Sequence, residues 1–112
     1  FMTTHSAVAV RELGGDQLVI VRKTDTARHV MRWVSSEDSV QGVARLYPEA
    51  FLARTVIVCE GASEVGLLRG LDRFRVKMGR KSAHANATAF VDAGGRSPEH
   101  ILERARVFAE WG

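Results

Sequence analysis

The sequence predicts an α/β protein whose second half is a parallel β-α-β-α unit, and three observations predict it. Residues 56–59 (VIVC) form an apolar, mostly β-branched run, as in a strand buried on both faces. Val65, Leu67, Leu68 and Leu71 then recur at helical spacing, directly after Glu60-Gly61. Residues 87–91 (ATAFV) read as a second strand, and Ile101, Leu102, Ala105, Phe108 and Ala109 as the apolar face of a second helix. Strand, helix, strand, helix in that order implies a right-handed crossover and a parallel pair.

The first half reads as a short helix, a β-hairpin and a further helix. Ser6 suits an N-cap for residues 7–13, and Gly14-Gly15 supplies the stop. Residues 18–22 (LVIVR) and 29–34 (HVMRWV) read as two strands joined by a polar segment of hairpin length, so they are expected to pair antiparallel. Alternation sets Arg32 opposite Met31 and Trp33, which are expected to cover the core face. Ser35 with Asp38 forms a variant capping box before the stripe Val40, Val43, Ala44 and Tyr47, and Pro48 limits that helix. Residues 49–54 read as a connection into the central strand. Beyond it, Asp72 begins a basic segment of different character. Ser97 caps the last helix, with Pro98 at its first position and Glu99 at its positive end.

Composition bounds the function classes. The 112 residues are a single domain's worth, 46% apolar and 26% charged, as in a soluble globular protein. A net charge of +3 permits a polyanionic partner without demanding one. The single cysteine, Cys59, rules out an internal disulfide and a cysteine-based metal cluster. Apolar runs are too short to span a bilayer and no signal-peptide pattern is present, so the expected location is cytoplasmic and no membrane partner is expected.

The chemistry-bearing residues gather around the central strand. In open α/β sheets ligands bind at the carboxyl ends of strands, beside the next helix's N-terminus. Glu60 stands at such an end and Glu64 in the first turn that follows, while Asp92 ends the second parallel strand. Mg²⁺ takes oxygen ligands, keeps several waters and is often held by one or two carboxylates plus substrate phosphate, so Mg²⁺ or Mn²⁺ is the expected cofactor. Helix-dipole stabilisation accounts equally for Glu64, and simple solvation for Glu60. From residue 69 to 81 there are six basic residues, Arg69, Arg73, Arg75, Lys77, Arg80 and Lys81, against one acid, Asp72. They suit either a phosphate-facing surface or a solvated loop. Gly79-Arg80-Lys81-Ser82 is not a phosphate loop, because the earlier glycine and the spacing are missing.

Residues 58–68, Val58-Cys59-Glu60-Gly61-Ala62-Ser63-Glu64-Val65-Gly66-Leu67-Leu68, resemble the start of a Toprim domain. The version they resemble most is that of the OLD-family (overcoming lysogenization defect) nucleases, which join an ABC-type ATPase domain to a Toprim domain. Phe90-Val91-Asp92-Ala93-Gly94-Gly95 resembles the family's second strand and glycine-rich turn. Phe1-Met2-Thr3-Thr4-His5-Ser6 resembles the ATPase switch segment whose histidine faces the nucleotide γ-phosphate. The resemblance implies a partial Toprim (Rossmann-like) fold, with residues 1–34 as the tail of the ATPase domain, 35–54 as a connecting helix and 55–112 as the first half of the Toprim domain. It also implies Mg²⁺-dependent cleavage of DNA, with Glu60 and Glu64 as metal ligands, Glu60 partly a general base, and Asp92 an accessory acid. Arg73, Arg75, Lys77, Arg80 and Lys81 become candidates for the DNA backbone. ATP and His5 belong to the parent protein only, since no Walker A loop, Walker B acid or ABC signature occurs in these residues. The family's Asp-x-Asp strand likewise has no counterpart here, so the expected chain is a fragment or truncated relative, inactive or very weak alone.

Two other classes fit the same residues. One is a small basic module that binds nucleic acid without cutting it. The other is an interaction module that self-associates through an incomplete sheet edge.

Overall fold

A parallel strand pair with helices packed on it, and an antiparallel hairpin alongside, make up the chain in the computed structural model, which describes residues 1–26, 28–34, 38–95 and 97–110. Helix α1 (Ala7–Glu12) begins where expected: the Ser6 Oγ accepts a hydrogen bond from the Ala9 N–H at 3.4 Å. A 3₁₀ turn over Gly15–Gln17 then leads into β1 (Val19–Lys23), which pairs antiparallel with β2 (His29–Trp33) in the register Val19↔Trp33, Val21↔Met31.

The hairpin presents the opposite face from the one expected. Met31 is 72% exposed and Trp33 68%, with Val19 and Val21 beside them on the solvent side. Ile20 and Arg22 face inward instead. Ile20 packs on the cluster of Val43, Ala44 and Phe51. Arg22 buries its stem and donates to the carbonyls of Ala53 (3.0 Å) and Phe51 (3.4 Å). The guanidinium thereby satisfies carbonyls at the end of a helix, which gives the polar residue a reason to face in.

Helix α2 (Asp38–Leu46) carries Val43 and Ala44 into the core. The cap expected at Ser35 lies outside the described residues, as do the side chains of Asp38 and Val40. Residues 49–54 are not a plain connection. Pro48 starts a second short helix, α3 (Pro48–Leu52), with its fixed φ at the first position and Glu49 in the first turn. Pro48, Ala50 and Phe51 are buried there.

Strand β3 (Thr55–Cys59) and β4 (Thr88–Asp92) pair in parallel, in the register Ile57↔Phe90, Val58↔Val91, Cys59↔Asp92. Between them runs α4 (Ala62–Lys77), and α5 (Pro98–Glu110) follows β4. Val56, Ala89 and Val91 share a cluster with Ala50, Ala53, Tyr47 and Phe108, so one sheet face is covered by α3 and α5. Phe108 meets Phe51 edge to face at 5.7 Å. Arg32 also donates to the Glu110 carbonyl, tying the hairpin to α5. Trp111 and Gly112 lie outside the described residues.

Two helices depart from their expected faces. Helix α4 runs through Asp72 to Lys77 instead of giving way to a loop. Of its expected stripe only Val65 is buried and Leu68 half-buried, while Leu67 and Leu71 are exposed. On α5, Leu102 also faces solvent. Among the described residues no helix is long and apolar enough to cross a membrane.

Candidate functional site

The pairing Cys59↔Asp92 brings the two parallel strands to an end side by side. The link continues past them: Ala93 N–H donates to the Cys59 carbonyl at 2.9 Å, and Gly95 N–H to the Glu60 carbonyl at 2.7 Å. The turn after β4 is therefore clamped against the turn after β3. Gly94 at φ +89° and Gly95 at φ +65° adopt the left-handed conformations this approach requires. A Cβ on Gly61 would stand 3.9 Å from the Gly95 Cα.

The acids occupy this shared edge. Glu64 reaches back from the first turn of α4, and its Oε2 accepts from the Gly61 N–H at 3.0 Å. It closes one of the helix's unpaired amides and sits favourably on the helix dipole. Asp92 Oδ1 accepts from the Gly94 N–H at 2.6 Å, in an Asx turn that shapes the glycine pair. Each of these carboxylates commits one oxygen to its own backbone and keeps the other. Glu60 and Glu64 are exposed, and Asp92 is half-buried.

Cys59 lies beneath them, buried at the end of β3. Burial pushes its thiol pKa above the usual 9.0, and the charges of Glu64 and Asp92 raise it further. That shared influence reflects a local concentration of negative charge around the end of β3.

The donor set suits a hard cation: carboxylate oxygens only, in the number a water-rich Mg²⁺ ion takes from a protein. It does not enclose one. Among the described residues no group of three or more His, Cys, Asp or Glu side chains is gathered closely enough to hold a metal. Glu60 and Glu64 are held by one turn, and Asp92 joins them at the same sheet end without completing a cage.

The basic residues are placed by α4. Arg69, Arg73 and Lys77 recur four residues apart and so form one row along the exposed helix, with Arg80 and Lys81 just beyond its end. Arg75, two residues from Arg73 and from Lys77, points from the other side. Asp72 turns inward and its Oδ1 accepts from the Ala83 N–H at 2.8 Å. His5 is exposed and immediately precedes the α1 cap, far in sequence from the acids. The roles that spacing alone did not reveal are local caps: Glu64 toward Gly61, three residues back, and Asp92 toward Gly94, two residues on.

Comparison with protein-family models, with curated proteins and with solved structures yields no significant match to this chain.

Proposed function

We propose that this chain carries one half of a Mg²⁺-dependent site for cleaving DNA phosphodiesters, of the kind its sequence resembles in the Toprim domain of OLD-family nucleases. The observation that carries this reading is the clamped strand end, where the Gly95 N–H bond to the Glu60 carbonyl sets the Glu60–Glu64 turn beside Asp92. Glu60 and Glu64 are the residues that would hold Mg²⁺ or Mn²⁺, through Glu60's exposed carboxylate and the Glu64 oxygen left over from the helix cap. A bound ion there would polarise a phosphoryl oxygen and lower the pKa of an attacking water. Asp92 fixes the adjacent turn and adds negative charge to the edge. The row Arg69, Arg73 and Lys77, with Arg80 and Lys81, would track a DNA backbone, and Arg75 would contribute only if the duplex wrapped the helix. In the parent protein His5 would serve an ATP site supplied by other residues, and the expected location would be cytoplasmic.

An open, incomplete cage predicts little or no cleavage by this chain alone. Purified chain incubated with supercoiled plasmid and Mg²⁺ should leave it intact. Nicking that disappears in Glu60→Ala would overturn that expectation. A second reading, binding without catalysis, is favoured by the basic row on α4 and by the capping duties of Glu64. It predicts salt-sensitive duplex binding that survives Glu60→Gln and needs no metal.

A further inference from the structure

Helix α4 has two apolar faces, and the fold uses one. Val65 is buried against the sheet. On the outer side Leu67, Leu71, Phe74 and Met78 follow one another at spacings of four, three and four, the repeat of a single helical ridge. They are 72%, 53%, 60% and 68% exposed. Four large side chains in a row at that exposure make a patch comparable with the largest on a typical monomer, roughly 300–600 Å², a size that marks interaction sites.

Two glycines border the ridge. Gly66 and Gly70 lie inside the helix, four residues apart, and a Cβ at either would meet nothing within 4 Å. Nothing within the chain therefore requires them to be glycine, although glycine weakens a helix interior. They leave a notch along the ridge into which a partner's side chains can pack closely.

From Leu71 onward the charges beside the ridge have one sign, and Glu64 lies one turn before Leu67. Lys77 lies on one side and Arg75 on the other, with Arg73 behind Lys77, and the one acid of this stretch, Asp72, is turned inward to the Ala83 amide. A second copy is a poor occupant: paired parallel it would oppose these cations, and paired antiparallel it would set only Glu64 against them. A phosphate backbone is a poor occupant of the ridge too, since it offers no apolar surface to Leu71 and Phe74. We infer that the outer face of α4 docks an amphipathic helix of a partner protein, apolar on one side and flanked by Asp or Glu, with its apolar side chains seated on Leu67, Leu71, Phe74 and Met78 and in the Gly66–Gly70 notch.

The test is fluorescence anisotropy with a labelled synthetic peptide about as long as α4, carrying leucines at ridge spacing and glutamates beside them, against a lysine-flanked twin. The glutamate peptide should bind, more weakly as salt rises, and roughly tenfold or more tighter than its twin. Gly70→Leu fills the notch without disturbing the helix, and it should lower affinity roughly tenfold, as should Phe74→Asp. Equal binding of the twins, or wild-type affinity in Gly70→Leu, would overturn the assignment. So would self-association through the ridge in sedimentation, or binding to anionic vesicles with none to the peptide.

Discussion

Replacing Glu64 by Gln and by Ala separates its capping duty from its charge. The Gly61 N–H reaches its Oε2 at 3.0 Å on an exposed helix end. Removing such a bond costs about 0.5–1 kcal/mol at an exposed site. Losing the negative charge at the helix's positive end costs about 0.3–1 kcal/mol more. Glu64→Ala loses both and should unfold at lower urea, by about 1–2 kcal/mol in total. Glu64→Gln keeps an oxygen for the amide and should lose only the charge contribution. Urea unfolding followed by far-ultraviolet circular dichroism reads both, at constant m-value. If Glu64→Ala matched the wild type, or Glu64→Gln fell as far as Glu64→Ala, the cap would not be holding the turn.

Three further outcomes follow from the same structure. Val91 is fully buried in the sheet, so Val91→Ala should cost roughly 2 kcal/mol in the same unfolding assay. Gly94 holds φ +89° between Asp92 and the clamp to Glu60, and Gly94→Ala should cost about 1–3 kcal/mol through backbone strain. Cys59 has a raised thiol pKa through burial, Glu64 and Asp92, so the unfolded chain loses this proton first as pH rises. The stability it contributes is complete below the usual value of 9.0 and is lost as pH climbs through the folded value. Unfolding measured across that alkaline range should show a fall that is missing in Cys59→Ala.

The order β3, α4, β4, α5 was legible because each run carried both a period and a stop: VIVC before Glu60-Gly61, ATAFV before Gly94-Gly95, and Ser97-Pro98 ahead of the last helix. Alternation in the hairpin revealed two faces but not which one turns inward. That depended on the carbonyls of Phe51 and Ala53, far away in sequence, which accept from Arg22. Helix α3 is not legible in the sequence because five residues are too few for a period, although Pro48 followed by Glu49 is its start signal. Helix α4 continued past Asp72 because arginine and lysine are good helix formers, and the charge density masked the Leu71–Phe74–Met78 repeat. Of the candidate site, the acids and glycines were legible in position. The clamp from Gly95 to Glu60 was not, since it depends on parallel pairing in one register.

Glu60 and Glu64 are proposed to hold a divalent cation. Calorimetric titration with Mn²⁺ of the wild type, Glu60→Ala and Glu64→Gln, side by side, tests it most directly. Binding is expected in the wild type and should weaken at least about tenfold with each substitution, with both variants still folded. Three identical titrations would contradict it, and would leave Glu64 as a helix cap and Glu60 as a solvated strand end.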